Sequence, residues 1–357
     1  MLSATTFVSS IVRPSAAAGG GVVSSNARQR SGKIVLRFAN GRRAWYHATD
    51  RRAPAHRAIL DVLQTDELPV YVEVSDADEL AQVLVPMIVT VVSLRRGRSR
   101  DVVVQLSPSN AVHILKSSHP RYHELLAELE AALRTAKQFA VTETADTQEI
   151  HDVRPFEEIP LEPPATAAAS LPAHDVIETL TEISDAEVER FFEHVAANTC
   201  SAGCVKSPCI PFLFPDDGCH GRAHMVCELL QERFGIVSGK IWLYGHPDEP
   251  YEVATCNHPR GSVLWLYHVA PIIRCTSGIR VVDPALFRGP VRESSWRRKQ
   301  FNAGTVVLSE AAVFDRLRPG ARIQRDPGLK KTRRVLGAFR AKLASRIRRH
   351  RRAPPYC

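Results

Sequence analysis

Long apolar runs are missing from this sequence of 357 residues. No segment approaches the roughly 18 consecutive apolar residues that a transmembrane helix needs. The amino-terminal stretch also lacks a basic start and an unbroken apolar segment ahead of Arg13 and Pro14, so we expect no classical secretory signal. Cytoplasmic residence and export by a non-classical route both stay open.

Cysteine is also scarce, since eight residues in the whole chain are far too few for a small disulfide scaffold. Hydrophobic residues make up 44% and charged residues 24%, which is the balance of a folded globular chain rather than of a disordered one. Domains average about 150 residues, so the length suits two of them. Five cysteines nevertheless lie within residues 200–227, and this clustering needs a structural or chemical cause.

Positive charge is concentrated at the carboxyl end of the chain. Residues 316–352 contain fifteen lysines and arginines against the single carboxylate of Asp326, while the net charge of the whole chain is only +9. Residues 329–352 place Leu336 and Phe339 on one helical face with arginines around them. This pattern predicts a basic amphipathic helix that contacts an anionic membrane or an acidic partner, or that docks on its own slightly acidic body. No motif specific for nucleic acid accompanies it.

A segment rich in proline, alanine and glutamate divides the chain and predicts an extended linker. Before it, alternating residues around Asn40-Gly41 predict a hairpin over residues 33–48 with a type I′ turn, and leucines at helical spacing predict a helix over 122–136. Further strands are predicted at Val70 to Val74, Met87 to Leu94, Val102 to Leu106 and Val112 to Leu115. The histidines of this part are most simply surface or packing residues: His47, His113, His119 and His123.

The predicted organisation therefore has five parts. They are a disordered N-terminus (1–30), a β-rich accessory or pro-like domain (31–154), the linker (155–174), a catalytic domain (175–318) and a basic amphipathic tail (319–357). Ser184 followed by Glu187 predicts a capped helix near the start of the catalytic domain.

The most informative stretch covers residues 211–235. Apolar residues at helical spacing, with Gly235 as a left-handed stop, predict a helix that begins after Asp217-Gly218. Cys219 then lies in the first turn, where free N–H groups and the positive end of the helix dipole favour a thiolate. The same N–H groups can bind the oxyanion of an acyl-transfer reaction. The pattern predicts a nucleophilic cysteine whose pKa is lowered.

A nucleophilic cysteine needs a base, and the base needs an orienting group. Residues 262–273 form a predicted buried strand in which His268 is ionisable, and residues 279–284 form its hairpin neighbour, which ends at Asp283. A carboxylate at the end of one strand can reach an imidazole on the other. A core histidine at position 268 and an ordinary turn residue at position 283 are the competing interpretations.

Several motifs in a fixed order resemble the protein-glutaminase family, whose members deamidate glutamine side chains within proteins. They are SPCIPF, FPDDGCHGRAH, WLYGH, WLYHVA and RVVDPALFRGPV followed by SSWR, and they extend over about residues 175–300. The resemblance implies that Cys219 is the nucleophile, His268 the general base and acid, and Asp283 the orienting carboxylate. The implied fold is α+β with a papain- and transglutaminase-like core, in which the helix carrying the cysteine packs on an antiparallel sheet carrying the other two residues.

The resemblance also implies partners and structural residues. The partners are proteins or peptides that bear glutamine, and no cofactor is implied. Trp265 and Tyr244 either wall the substrate slot or pack in the core, and Cys200, Cys209 and Cys256 match family cysteines that form disulfides. The remaining cysteines look additional: Cys204, Cys227, Cys275 and Cys357. Family members also carry an N-terminal pro-segment that blocks the cleft, so the β-rich domain is expected to act in this way or as an accessory domain.

Other functions use some of the same residues. A zinc site is disfavoured, because the clustered cysteines lack paired CxxC spacing and the HGRAH motif lacks the glutamate of HExxH. We therefore expect no metal, and we interpret His220 and His224 as surface or packing residues. A cysteine protease or a transglutaminase can use the same triad, and a binding protein acting through the basic helix is the non-enzymatic alternative. The sequence does not predict the oligomeric state.

Overall fold

The computed structural model describes residues 2–12, 32–97, 99–144, 146–156, 172–200, 209–246, 249–301, 304–316, 318–320 and 323–357. Over these residues the chain is a mixed α/β protein with seven helices and several sheets. Most of the predicted linker, residues 157–171, and Cys204 lie outside the described part.

The first sheet has the strand order β3-β2-β1-β4-β5. Its elements are β1 (Leu2–Val12), β2 (Lys33–Phe38), β3 (Arg43–His47), α1 (Ala53–Thr65), β4 (Pro69–Val74) and β5 (Leu80–Leu84). Strand β1 pairs antiparallel with both β2 and β4, so the expected disorder is wrong for residues 2–12. Residues 13–30 of that predicted segment lie outside the described part.

The predicted hairpin between β2 and β3 is confirmed, but its turn differs from the expected type. The Phe38 N–H donates to the Arg42 carbonyl at 3.0 Å, which closes a loop of three residues rather than two. Gly41 has a φ of +80°, and Asn40 is not among the residues with positive φ. A three-residue loop needs left-handed backbone only at its last position, and glycine supplies it there.

The second sheet has the order β10-β9-β6-β7-β8, and two helices contribute side chains to its core. Its elements are β6 (Pro86–Arg96), β7 (Val102–Ser107), β8 (His113–Leu115), α2 (Tyr122–Thr135), β9 (Phe139–Glu143) and β10 (Ile150–Pro155). The predicted strands and the predicted helix are confirmed. The strands β5, β9 and β10 and the helix α1 had not been predicted.

The third sheet is antiparallel along its main path, in the order β17-β16-β15-β12-β18. The elements of this part are α3 (Ala173–Thr179), β11 (Glu182–Ile183), α4 (Asp185–Ala197), α5 (Cys219–Phe234), β12 (Gly239–Tyr244), β13 (Tyr251–Ala254), β14 (Ser262–Trp265), β15 (Tyr267–Cys275), β16 (Gly278–Val281), β17 (Val291–Arg292), α6 (Glu293–Lys299) and β18 (Thr305–Glu310). The predicted capping box of Ser184 and Glu187 opens α4. Helix α5 packs on β15, and this contact builds the site described below.

The chain ends with β19 (Val313–Asp315), β20 (Gln324–Arg325) and α7 (Lys330–His350). Helix α7 is amphipathic as predicted, but its apolar face is buried inside the chain. Leu336 packs in the core of the third sheet, whereas Phe339, Leu343 and Ile347 pack in the core of the second. Its cations pair with carboxylates of the body, as in Lys342 with Glu143 at 2.8 Å. Three contacts had been left open for this helix: an anionic membrane, an acidic partner, or the protein's own body. In this structure the helix docks on the protein's own body.

Two disulfides are present among the described residues. Cys200 pairs with Cys209, and Cys256 pairs with Cys357. Cys357 had been expected to be additional, but it fastens the end of the chain to the third-sheet part. No helix in the described part of the chain is long and apolar enough to cross a membrane.

Candidate active site

Cys219 is the first residue of α5, as the sequence predicts. Gly218 precedes it with a φ of +79°, a left-handed conformation that L side chains rarely adopt. A Cβ at Gly218 would lie 2.5 Å from the ring of Phe339, so glycine is required by space as well as by conformation. Gly235 ends α5 with a φ of +66°, as expected. The residues predicted to form the buried face of α5 are buried, apart from Phe234 at its C-terminal end, which is exposed.

The environment of Cys219 corrects the expected thiolate. The side chain is only 1% exposed, and burial raises the pKa of the thiol well above its ordinary value. The guanidinium of Arg222 and the N–H of Val269 act in the opposite direction, while the carboxylates of Asp217 and Asp283 add to the rise. A helix terminus stabilises an anion by about 1 kcal/mol, which cannot offset the loss of water around a fully covered sulfur. Cys219 is therefore a thiol in this arrangement.

His268 and Asp283 form a buried pair. The Nε2 atom of His268 lies 2.8 Å from Oδ2 of Asp283, and both side chains are excluded from solvent. The indole N–H of Trp296 donates to the same carboxylate oxygen at 2.9 Å. Burial acts to raise the pKa of Asp283, but His268 and these hydrogen bonds outweigh it and lower the pKa. The carboxylate is thus ionised and fixes the orientation of the imidazole.

Cys219 lies against the strand that carries His268. It shares one buried cluster with Tyr267 and Val269, the two neighbours of His268 in β15, and the N–H of Val269 lowers the pKa of its thiol. With Nε2 of His268 engaged by Asp283, Nδ1 is the ring nitrogen left free, and it is buried without a hydrogen-bond partner. The three residues predicted from the sequence therefore occur in one buried region.

The two aromatic candidates differ in their position. Trp265 stacks on His268 with ring centroids 4.3 Å apart and planes within 8°, and its indole N–H donates to the Pro215 carbonyl at 3.0 Å. Tyr244 is buried in the cluster around the thiol, where its hydroxyl donates to the Arg316 carbonyl at 2.7 Å. Trp265 therefore covers one face of the imidazole, whereas Tyr244 packs in the core.

A segment of the second-sheet domain lies over the thiol. The Leu266 N–H, between β14 and β15, donates to the Asn110 carbonyl at 2.8 Å, and Ala111 forms an antiparallel bridge with Trp265. The predicted single strand over 262–273 is split at this point. The Cys219 N–H donates to the side-chain oxygen of Asn110 at 3.5 Å, whereas the amide nitrogen of Asn110 is buried without a partner. A carboxamide from the protein itself thus occupies the space in front of Cys219.

The same segment is anchored through the carboxylate of Asp217. The Asn110 N–H donates to it at 3.0 Å and the Ser109 hydroxyl at 2.7 Å. Ser109 in turn lies 2.7 Å from Nε2 of His113, and Nδ1 of His113 contacts Glu143. His113 is therefore a buried link in a polar chain and not an isolated packing residue. Neither Ser109 nor Asn110 carries a sequence signal for this role.

Arg222 holds the turn that precedes Cys219. Its guanidinium is buried and donates to the carbonyls of Phe214 at 2.9 Å and Asp217 at 2.6 Å. His220 and His224, on the same helix, are also buried, so of the two expected places, surface or packing, they occupy the second. Burial lowers the pKa of His220 to about 3 and that of His224 to about 4, so both imidazoles are neutral near neutral pH. The sequence pattern did not predict this role of Arg222, although the residue lies within the FPDDGCHGRAH motif.

A disulfide explains two of the cysteines that are clustered in residues 200–227. Cys200 and Cys209 are joined to each other, and Cys219 is free and buried. In the same part of the chain, no group of three or more histidine, cysteine and acidic side chains could hold a metal ion.

Comparisons with known proteins found one family model and several similar solved structures. Residues 188–300 match the family model described as Glutaminase. No curated protein matches the chain. Among solved structures, the chain is similar to pro-protein-glutaminase, with 22% identity over 72% of this chain and 91% of that one and a TM-score of 0.48. It is also similar to protein-glutaminase from Chryseobacterium proteolyticum, with 29% identity over 43% of this chain and 85% of that one and a TM-score of 0.37. Over residues 188–300, the chain is therefore similar to the protein-glutaminase family.

Proposed function

We propose that this protein hydrolyses the side-chain amide of glutamine in proteins or peptides, giving glutamate and ammonia. The nucleophile is Cys219, the general base and acid is His268, and Asp283 orients the imidazole. The observation that carries the proposal is a free cysteine at a helix start, packed against the strand of a histidine that lies 2.8 Å from a buried carboxylate. The arrangement is that of a papain- and transglutaminase-like core.

The chemistry proceeds in two steps that need no cofactor. The Nδ1 atom of His268 takes the thiol proton, and the sulfur of Cys219 attacks the amide carbon of glutamine. The Cys219 N–H is available to the developing oxyanion, because it already donates to the carboxamide oxygen of Asn110. The carbon–nitrogen bond breaks, and the imidazolium gives its proton to the departing ammonia. Water then loses a proton to His268 and attacks the thioester, which releases glutamate and restores the thiol.

We also propose that the domain formed by residues 31–154 is pro-like and holds the site closed. Its Ser109-Asn110 segment occupies the space in front of the thiol and covers it from solvent. An asparagine side chain is one methylene shorter than glutamine, so it can present its amide oxygen without being a good substrate. The raised pKa of Cys219 belongs to this covered arrangement, and displacement of the segment lets water and substrate reach the sulfur.

A matched pair of cysteine variants tests the activity. The full chain is opened by limited proteolysis in residues 157–171, and ammonia release from a glutamine-rich protein is measured together with conversion of glutamine to glutamate by mass spectrometry. We expect Cys219→Ser to lose activity by roughly a thousand-fold or more, because the nucleophile is removed. Cys227→Ser should keep most of it, since Cys227 is a buried free thiol elsewhere on the same helix.

Equal activity of the wild type and the Cys219 variant would remove the assignment. The products also separate the alternatives that share the triad. Incorporation of an added primary amine instead of water would indicate a transglutaminase, and cleavage of the substrate backbone would indicate a protease.

A further inference from the structure

Helix α7 reaches the turn that carries the nucleophile, although more than a hundred residues separate them in the sequence. The ring of Phe339 fills the space beside Gly218, where even a methyl group would lie 2.5 Å from it. Phe339 also stacks on Phe214 at 5.5 Å between ring centroids. The C-terminal helix therefore forms one wall of the turn between Phe214 and Cys219.

Arg346 of α7 binds this turn at the side chain of Asp216. The two terminal nitrogens of Arg346 donate to the two carboxylate oxygens of Asp216, both at 2.7 Å. The side chains of Arg346 and Asp216 are 1% and 3% exposed. A bidentate arginine–carboxylate pair fixes distance and angle together, which a single contact does not. The third nitrogen of Arg346 donates to Asp146 at 2.6 Å, so the guanidinium itself is held in place.

Other groups around Asp216 contribute less to its position. The Nε2 atom of His258 lies 3.2 Å from one of its oxygens, and the amide of Gln148 donates to the same oxygen at 3.4 Å. Arg346 thus makes the two short contacts, and it also stacks over Phe214 with 4.1 Å between its guanidinium carbon and the ring centroid.

The position of Asp216 matters because its neighbours bind the reacting groups. The preceding residue, Pro215, accepts the indole N–H of Trp265, which stacks on His268. The following residues, Asp217 and Gly218, lead directly into Cys219. A shift of Asp216 would therefore change the placement of the thiol and of the imidazole together.

We propose that Arg346 is a positioning residue for the nucleophile and that α7 completes the active site. This inference rests on the proposed deamidation by Cys219. Its consequence is that a fragment ending at residue 318 lacks part of the site, so the predicted boundary between a catalytic domain and an accessory tail does not separate independent units.

The variant Arg346→Lys tests the inference in the full chain, opened by proteolysis in residues 157–171 as above. Lysine keeps the positive charge but contacts one oxygen where arginine contacts two. We expect kcat for ammonia release to fall ten- to a hundred-fold with little change in KM, because misplacement of reacting groups by about 1 Å has effects of this size. The control is Arg349→Met, which removes an α7 arginine that contacts Asp146 but not Asp216. It should leave kcat unchanged.

A second readout does not require turnover. Thiolate formation by Cys219 is followed by ultraviolet absorbance in the chain opened in residues 157–171, with Cys219→Ser as the blank. In Arg346→Lys we expect the titration midpoint to move to higher pH, since a displaced sulfur lies farther from the N–H of Val269 and the guanidinium of Arg222, which both lower its pKa. Should Arg346→Lys fail to fold, Asp216→Asn tests the same contact, with the same direction expected in both readouts.

An Arg346→Lys protein with a lowered melting temperature but unchanged kcat and thiolate titration would overturn the inference, because Arg346 would then serve stability alone. Absence of ammonia release from the wild type would instead contradict the proposed function, and the thiolate titration would still decide the role of Arg346.

Discussion

At the scale of single residues, burial decides the charge of the groups around the nucleophile helix. Lys240 is fully buried below α5, donates to the Val313 carbonyl and lies 2.8 Å from Nδ1 of His224. Burial lowers the pKa of Lys240 from 10.5 to about 8. A buried amine with neutral imidazoles near it therefore loses its proton far more readily than a lysine in water.

Lys240→Met tests this by the pH dependence of stability. The unfolded wild type binds one more proton than the folded protein between pH 8 and 10.5, so its free energy of unfolding rises with pH in that window. The variant lacks this contribution. We expect the wild type to gain up to about 3 kcal/mol relative to Lys240→Met between pH 7 and pH 10, measured by urea denaturation. A difference that does not change with pH would contradict the lowered pKa.

At the scale of elements, α5 shows how packing and backbone conformation act together. Its two flanking glycines, Gly218 and Gly235, are both left-handed, but only Gly218 is in close contact with another element. Nothing lies within 4 Å of a Cβ at Gly235, whereas Phe339 of α7 would meet one at Gly218. The residue type at the start of α5 is thus restricted by contact with α7, a helix that is distant in the sequence.

The glycine pair gives a prediction with an internal control. Gly235→Ala should lower the free energy of unfolding by about 1–2 kcal/mol, the usual cost of a left-handed alanine. Gly218→Ala should cost clearly more, because the ring of Phe339 must move, and it should also lower ammonia release. Urea denaturation and the ammonia assay measure both effects. Equal stability losses would mean that Phe339 yields freely and that α7 does not constrain the turn.

At the scale of the whole molecule, three parts of the chain meet at Cys219. The part before the linker contributes Ser109 and Asn110, the third-sheet part contributes Cys219, His268 and Asp283, and α7 contributes Phe339 and Arg346. Helix α7 also binds the part before the linker directly, as in the 2.7 Å contact between Arg340 and Asp66. The helix therefore connects the cover of the site to the site itself.

Asn110→Ala tests whether this cover keeps the site closed. The substitution removes the contact with the Cys219 N–H and leaves the backbone contacts of the segment in place. One hydrogen bond contributes about 1 kcal/mol, so we expect ammonia release by the uncleaved chain to rise roughly five-fold. Alkylation of Cys219 by iodoacetamide should accelerate in parallel. Asn40→Ala, in the exposed hairpin turn, is the control. Unchanged rates in Asn110→Ala would argue against occlusion by this side chain.

The sequence by itself determined the local features of this protein. Helical spacing and the Asp217-Gly218 turn were sufficient to begin α5 at Cys219, and alternating patterns were sufficient for the first hairpin and for most strands of the second sheet. The sequence also predicted the hairpin of β15 and β16, because pairing between neighbouring strands is a short-range consequence of the chain.

Only the tertiary structure decided how the site is covered and held. Asn110 and Arg346 carry no local pattern, since their roles arise from contacts between residues more than a hundred positions apart. The protonation of Cys219 was also beyond the sequence, because the burial that outweighs both the helix terminus and the Arg222 guanidinium arises from the packing of distant elements. The periodicity of a sequence indicates which side chains face inward. Which side chains they then contact depends on the packing of elements that are distant in the sequence.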